Sequence, residues 1–120
     1  MIHDILRQRL LQRAGLEALP PPRYTLDELA ASEWSPQFEQ LMRNRLIMGA
    51  LRYGKLGDKN KPQYDRTGSI QRRLVKYRLS GNMELLVDIA NLCLCEFVEC
   101  HHPTKHFHSV DDGEHVKVTK

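Results

Sequence analysis

Apolar residues recur along most of the chain at the three- and four-residue intervals of a helix. Ile2, Ile5, Leu6 and Leu10 predict a first helix over residues 2–14, with Gly15 placed to end it. Pro20, Pro21 and Pro22 then form a stiff connector, because each removes a backbone donor and biases the residue before it away from helix. Thr25 followed by Glu28 is a capping-box pattern and opens a short helix over 26–31. Ser35 and Pro36 are a natural N-cap and first helical residue, and Phe38, Leu41, Met42, Leu46, Met48 and Leu51 carry a long helix to about Tyr53.

The pattern breaks at Gly54, Gly57 and Pro62, where a loop with Asp58, Lys59, Asn60 and Lys61 is expected to be mobile and able to reach an anion through amides and lysines. A third long helix starts near Asp65 or Thr67, turns Ile70, Leu74 and Tyr77 inward, and ends at Ser80 and Gly81. Asn82 is the predicted N-cap of a last helix over 83–99, with Glu84 in its first turn, where the helix dipole favours a carboxylate. The expected architecture is all-α: one compact helical domain of four to five helices over residues 1–120. Residues 1–24 form the N-terminal helix and connector, and residues 100–120 an irregular His-rich tail. The helix over 83–99 should sit at the centre, packed on the helix over 36–53, because the two most apolar helices must bury each other. Its apolar breadth exceeds what one partner helix can cover, so a homo-oligomer is expected.

A chain of 120 residues is long enough for one core without a metal or disulfide. Residues 1–13 mix Ile and Leu with His3, Asp4 and three arginines, which is not the pattern of a secretory leader. The most apolar stretch, residues 85–98, is broken by Asp88, Asn91 and Glu96, so no membrane span is expected. Cys93, Cys95 and Cys100 are an odd set without a disulfide pattern, which fits a reducing cytoplasm. Charge changes the picture most. The chain's net charge is +3, yet residues 43–78 hold eleven Lys and Arg against two Asp, a local +9. Such clustering raises the potential toward phosphates, although a solvated basic helix face has the same composition.

Placed at 100° per residue, Glu84, Asp88, Asn91 and Cys95 form a narrow polar line on a helix that is otherwise apolar. A buried carboxylate must be paired or neutralised. The line is therefore either an internal ion-pair network with Arg43, Arg45, Arg72 or Arg73, or a site for a ligand or a divalent oxygen-bound cation such as Mg²⁺. Asp88, at its middle, is the position whose replacement should matter most. Zinc is not favoured in the Cys- and His-rich C-terminal part, since Cys93 and Cys95 point about 200° apart on a helix. Histidines that hydrogen-bond a folded-back tail are expected there instead. Trp34 is expected to pack in the core or as a staple, and Tyr53, Tyr64 and Tyr77 to be half-buried. No Walker pattern and no nucleophile elbow occurs.

The runs 44–54, Tyr64-Asp65-Arg66, 81–91, His102-Pro103 and His106-Phe107 resemble small uncharacterised proteins of phages and prophages, over roughly residues 38–115. More distantly, two long helices followed by Glu84 and Asp88 at the start of an apolar helix resemble the all-α nucleotide pyrophosphohydrolases of the MazG kind. That resemblance implies Mg²⁺ held by acidic residues of two helices, with Glu84 and Asp88 on the second and Glu39 on the first. The chain departs from the family's pattern: Gln40 and Arg43 stand where two carboxylates belong, and Leu85 stands three before Asp88. Losing carboxylates for neutral and cationic groups favours binding phosphate directly over holding metal.

Three functions follow. The first is a binder of a nucleotide or nucleotide signal, with Arg43, Arg45, Arg52, Lys55 and Arg66 on the phosphates and Asn44 or Asn91 reading a polar edge. The second is a Mg²⁺-dependent pyrophosphohydrolase using Glu39, Glu84 and Asp88. The third is a basic interaction protein that docks on nucleic acid or on an acidic host protein.

Overall fold

The computed structural model describes residues 5–7, 9–10, 23–109, 116 and 119, and among them helix is the only regular secondary structure. Residues 5–7 and 9–10 are helical. The rest of the expected first helix, its Gly15 end and the Pro20–Pro22 connector lie outside the described residues. Four helices follow: α1 (Leu26–Ser32), α2 (Pro36–Tyr53), α3 (Arg66–Ser80) and α4 (Glu84–Val98). No helix is long and apolar enough to cross a membrane among the described residues.

Local chemistry sets these boundaries. Thr25 Oγ1 accepts from the Glu28 amide at 3.1 Å, Ser35 Oγ from the Phe38 amide at 3.1 Å, and Asp65 Oδ1 from the Gly68 amide at 3.2 Å, each satisfying a donor that the first turn leaves open. Asn82 Oδ1 accepts from the Glu84 amide at 3.1 Å, although the backbone places Met83 as the cap residue and starts α4 one residue later than expected. Gly81 closes α3 with a φ of 72°, a left-handed conformation that suits glycine.

The chain divides into two compact units, residues 35–105 and residues 1–34 with 106–120. The larger contains α2, α3 and α4. Within it α4 is central and touches both other helices, but its more extensive partner is α3 rather than α2. The expectation that named α2 as the main partner rested on apolar content alone. α3 is the more amphipathic helix and turns Ile70, Arg73 and Tyr77 to one side, half-buried, while α2 spreads its apolar residues around its circumference. Val87 of α4, at 5% exposure, is the only apolar side chain that is buried among the described residues, and Arg66 and Asn91 are the buried polar ones. Trp34 is exposed, which rules out the core among its two expected places, core or staple.

Candidate functional site: a basic cleft over the polar face of α4

A cleft of about 660 Å³ opens over α4, lined by α2 from Arg45 to Tyr53, the first part of the following loop, and the α3 face carrying Arg66, Ser69, Arg72 and Arg73. Asp88, Asn91, Leu92 and Cys95 of α4 also line it, so three of the four members of the predicted polar line face an opening, Glu84 being the exception. The four do different things. Asp88 is gripped by Arg45, whose Nε and Nη2 donate to Oδ1 and Oδ2 at 3.3 and 3.4 Å, and Arg73 Nε stands 3.8 Å from Oδ2. Arg45 also reaches Glu84 Oε1, at 2.8 Å through Nη1. Asn91 is buried at 7% exposure, where its Nδ2 donates to the Met42 carbonyl at 3.0 Å and its Oδ1 has no partner. Cys95 has its thiol pKa pushed up by burial, a shift that Arg66 and Lys61 oppose and Glu99 adds to.

The stripe is thus an ion-pair network at its N-terminal end, with Arg45 and Arg73 as the arginines. Glu39 is not part of it. Its carboxylate takes Arg43 Nη2 at 3.3 Å, four residues along the same exposed face of α2. The metal set Glu39, Glu84 and Asp88 is therefore not assembled: one member is turned to its own helix, and the other two share an arginine that occupies their oxygens. Among the described residues no three His, Cys, Asp or Glu side chains are placed to hold a metal. In the tail, His102 Nδ1 accepts from the Thr104 amide at 3.1 Å, a local turn contact.

A second knot lies at the other end of α4. Glu99 follows the helix, where its carboxylate meets the negative end of the dipole and needs compensation. It gets three donors: Lys61 Nζ at 2.7 Å, the Gly57 amide at 2.8 Å, and Arg66 Nη2. Glu96 stands 3.9 Å from Arg66 Nη1, and the Arg66 guanidinium lies 5.8 Å from the centre of the Tyr64 ring. Glu99, Lys61 and Arg66 expose only 10, 12 and 8% of their side chains. The Lys61 hydrogen bond, with help from the Gly57 amide and Arg66 and against the cost of burial, lowers the Glu99 pKa to about 2.

This knot corrects two expectations. The loop after α2 does use an amide and a lysine to hold an anion, but the anion is the chain's own Glu99, so these groups tie the loop to the end of α4. Gly54 belongs to the same arrangement: with φ at 98°, it lets Lys61 lie back over the end of α2, and a Cβ there would meet Lys61 Cδ at 2.8 Å. Arg66, expected to face a phosphate, is buried and spent on Glu99 and Glu96. Glu99 is not among the site residues expected from the sequence, and Lys61 enters there only as one lysine of a loop able to reach an anion. The available signal was a carboxylate at the C-terminal end of a helix, where a cation belongs.

The other predicted ligand residues separate into two groups. Arg43 and Asn44 lie away from the cleft, Arg43 on Glu39 and Asn44 accepting from Gln40 Nε2 at 2.8 Å. Arg45, Arg52, Lys55 and Asn91 line it. Of the seven cations on its wall, Arg45 and Arg73 answer Asp88, Lys61 and Arg66 answer Glu99, and Arg72 donates to Ser69 Oγ at 3.1 Å. Arg52 and Lys55 have no ion pair among the described residues. Compared with protein-family models, with curated proteins and with solved structures, the chain matches none.

Proposed function

We propose that the chain binds a phosphate-bearing small molecule, a nucleotide or nucleotide signal, in the cleft over α4. The observation that carries this reading is the excess of cationic side chains on one concave wall, with Arg52 and Lys55 unmatched by any carboxylate there. Guanidinium and ammonium groups together suit phosphate oxygens, the first by paired donors and the second as a point charge. Beside the charged and polar groups the wall carries Ile47, Met48, Leu56, Leu92, Tyr53 and Tyr64, a surface for a base or sugar. A volume of about 660 Å³ falls within the range of small-molecule sites. Phosphate esters and three free thiols are both at home in the cytoplasm, where this reading places the protein.

The test is a thermal-shift panel of nucleoside mono-, di- and triphosphates and cyclic dinucleotides, with and without Mg²⁺. A ligand that binds the folded chain alone raises its Tm with concentration. Replacing Arg52 and Lys55 together by Ala should remove the shift, a loss of about 3 kcal/mol of binding for two charged contacts, while the Tm without ligand stays unchanged. A panel with no shift would sink the proposal. Release of pyrophosphate with Mg²⁺ would move the function to the hydrolase, and DNA binding that falls steeply with salt would move it to the nucleic-acid reading.

A further inference from the structure

On the floor of the cleft Asn91 lies one turn after Asp88 and one turn before Cys95, and it is 7% exposed. Its Nδ2 donates to the Met42 carbonyl at 3.0 Å. A carbonyl oxygen only accepts, so the amide is held in one orientation: turned over, it would set Oδ1 against another oxygen. Oδ1 is thereby fixed as an acceptor. Among the described residues it is the one buried side-chain nitrogen or oxygen without a partner. Folded proteins rarely leave such a group unmatched, because it has given up water and gained no donor in return.

The surroundings narrow what supplies that donor. Arg45 and Arg73 are committed to Asp88, and Lys61 and Arg66 to Glu99. Ionised phosphate oxygens are acceptors, so the part of a nucleotide that meets Oδ1 is not its phosphate. Leu92, next in the chain, and Leu46, one turn on from Met42, line the same cleft. Apolar neighbours receive a flat ring better than a ribose, each of whose hydroxyls needs a partner of its own. Adenine, guanine and cytosine present an exocyclic amino group at the ring edge. In uracil, thymine and hypoxanthine the ring N–H is flanked by carbonyl oxygen, which would be brought against Oδ1. We infer that Asn91 is a specificity-determining residue of the cleft, whose Oδ1 accepts from the exocyclic amino group of a nucleobase. The inference rests on the reading of the cleft as a nucleotide site, and it restricts the ligand to nucleotides of amino-bearing bases. Because Oδ1 is screened from bulk water, a base without the amino group leaves it unmatched, and discrimination follows.

The test is calorimetric titration of the full chain with ATP, GTP and CTP, each beside the analogue that lacks only the amino group: purine riboside triphosphate, ITP and 2-pyrimidinone riboside triphosphate. Phosphate charge is the same within a pair, so a difference reports the base edge. At least one amino-bearing member should bind about tenfold or more tighter than its analogue. Asn91→Leu, close in volume, should bring that ratio to near one while the analogue keeps its own affinity. The side-chain carbonyl carbon of Asn91 should also shift in the NMR spectrum with the amino-bearing member and not with the analogue, a readout that decides if the Leu variant fails to fold. Equal affinities within all three pairs overturn the inference and leave the cleft a nucleotide site, as does a ratio that survives Asn91→Leu. Absence of binding by all six triphosphates overturns both readings.

Discussion

Both ends of α4 carry a carboxylate held by cations from neighbouring segments, and the two knots differ in how much water they keep. At the N-terminal end Asp88 is 20% exposed, and its partners Arg45 and Arg73 are 39 and 35% exposed. Glu84, the other acceptor of Arg45, is half open at 54%. At the C-terminal end Glu99, Lys61 and Arg66 are all near 10%. Helix polarity sharpens the contrast. Glu84 sits in the first turn, where the dipole favours it without help, while Glu99 sits at the wrong end and depends on its donors. A knot that is buried and dependent holds the fold, and one that is open and bounded by spare cations can exchange a partner for a ligand.

The largest expected effect follows at the closed knot. Glu99→Gln leaves Arg66 buried with only Glu96, 3.9 Å away, and releases the Gly57–Lys61 loop from α4. Removing one partner of a buried charge pair costs about 3 kcal/mol, read as a lower urea midpoint or Tm. The pH dependence follows from the lowered pKa of Glu99, about 2 against an ordinary 4.5. A group whose folded pKa is depressed contributes its full stability above the unfolded value and loses it as pH falls through the folded one. Wild-type stability should therefore decline between pH 4.5 and 2, and Glu99→Gln should flatten that part of the curve. An unchanged slope in the variant would remove Glu99 from its place as the anchor.

Asp88→Asn should do less to the fold and more to binding. Its partners are a third exposed, where a charge pair contributes about 1 kcal/mol or less, and Arg45 keeps Glu84. With the carboxylate gone, Arg73 faces the cleft without an ion-pair partner and Arg45 keeps only Glu84, so affinity for a nucleotide should rise by up to about tenfold. A loss of several kcal/mol in stability would make this knot as closed as the other and break the comparison.

The helices were plain in the sequence because their signals are local. Ser35-Pro36, Asp65, Ser80-Gly81 and the Thr25–Glu28 box each act within one turn, and the observed ends agree to within about a residue. The polar line on α4 was also readable, since 100° per residue fixes which side chains share a face. What stayed hidden is which charges meet. Eleven cations between residues 43 and 78 are alike as a list, and only the fold assigns Arg45 and Arg73 to Asp88, Arg66 and Lys61 to Glu99, and leaves Arg52 and Lys55 on the cleft wall without an ion pair among the described residues. Glu99 is not readable as a site because the polar line stops at Cys95, one turn before it, and its partners are 33 and 38 positions away in the chain. Asp88 was marked as the decisive residue on the strength of its apolar neighbours. Those neighbours are only partly buried, apart from Val87, so the strongest dependence falls on Glu99 instead.

Cys95 offers the smallest and most selective readout, because it lines the cleft one turn before Glu99. Its thiol pKa is raised first by burial and also by the Glu99 charge, with Arg66 and Lys61 pulling the other way, while Cys93 is exposed. Alkylation proceeds through the thiolate. Near neutral pH Cys95 should therefore react more slowly than Cys93, as peptide mapping after timed iodoacetamide treatment can show. Glu99→Gln removes one of the influences that raise the pKa and leaves both cations in place, so Cys95 should react faster, with its pH–rate curve moved to lower pH. Asp88→Asn should leave that curve where it is, since Asp88 does not influence the Cys95 thiol. A nucleotide seated in the cleft should slow Cys95 alone. If Cys95 instead responds equally to both substitutions, the two knots are one coupled unit rather than a fixed end and an exchangeable one.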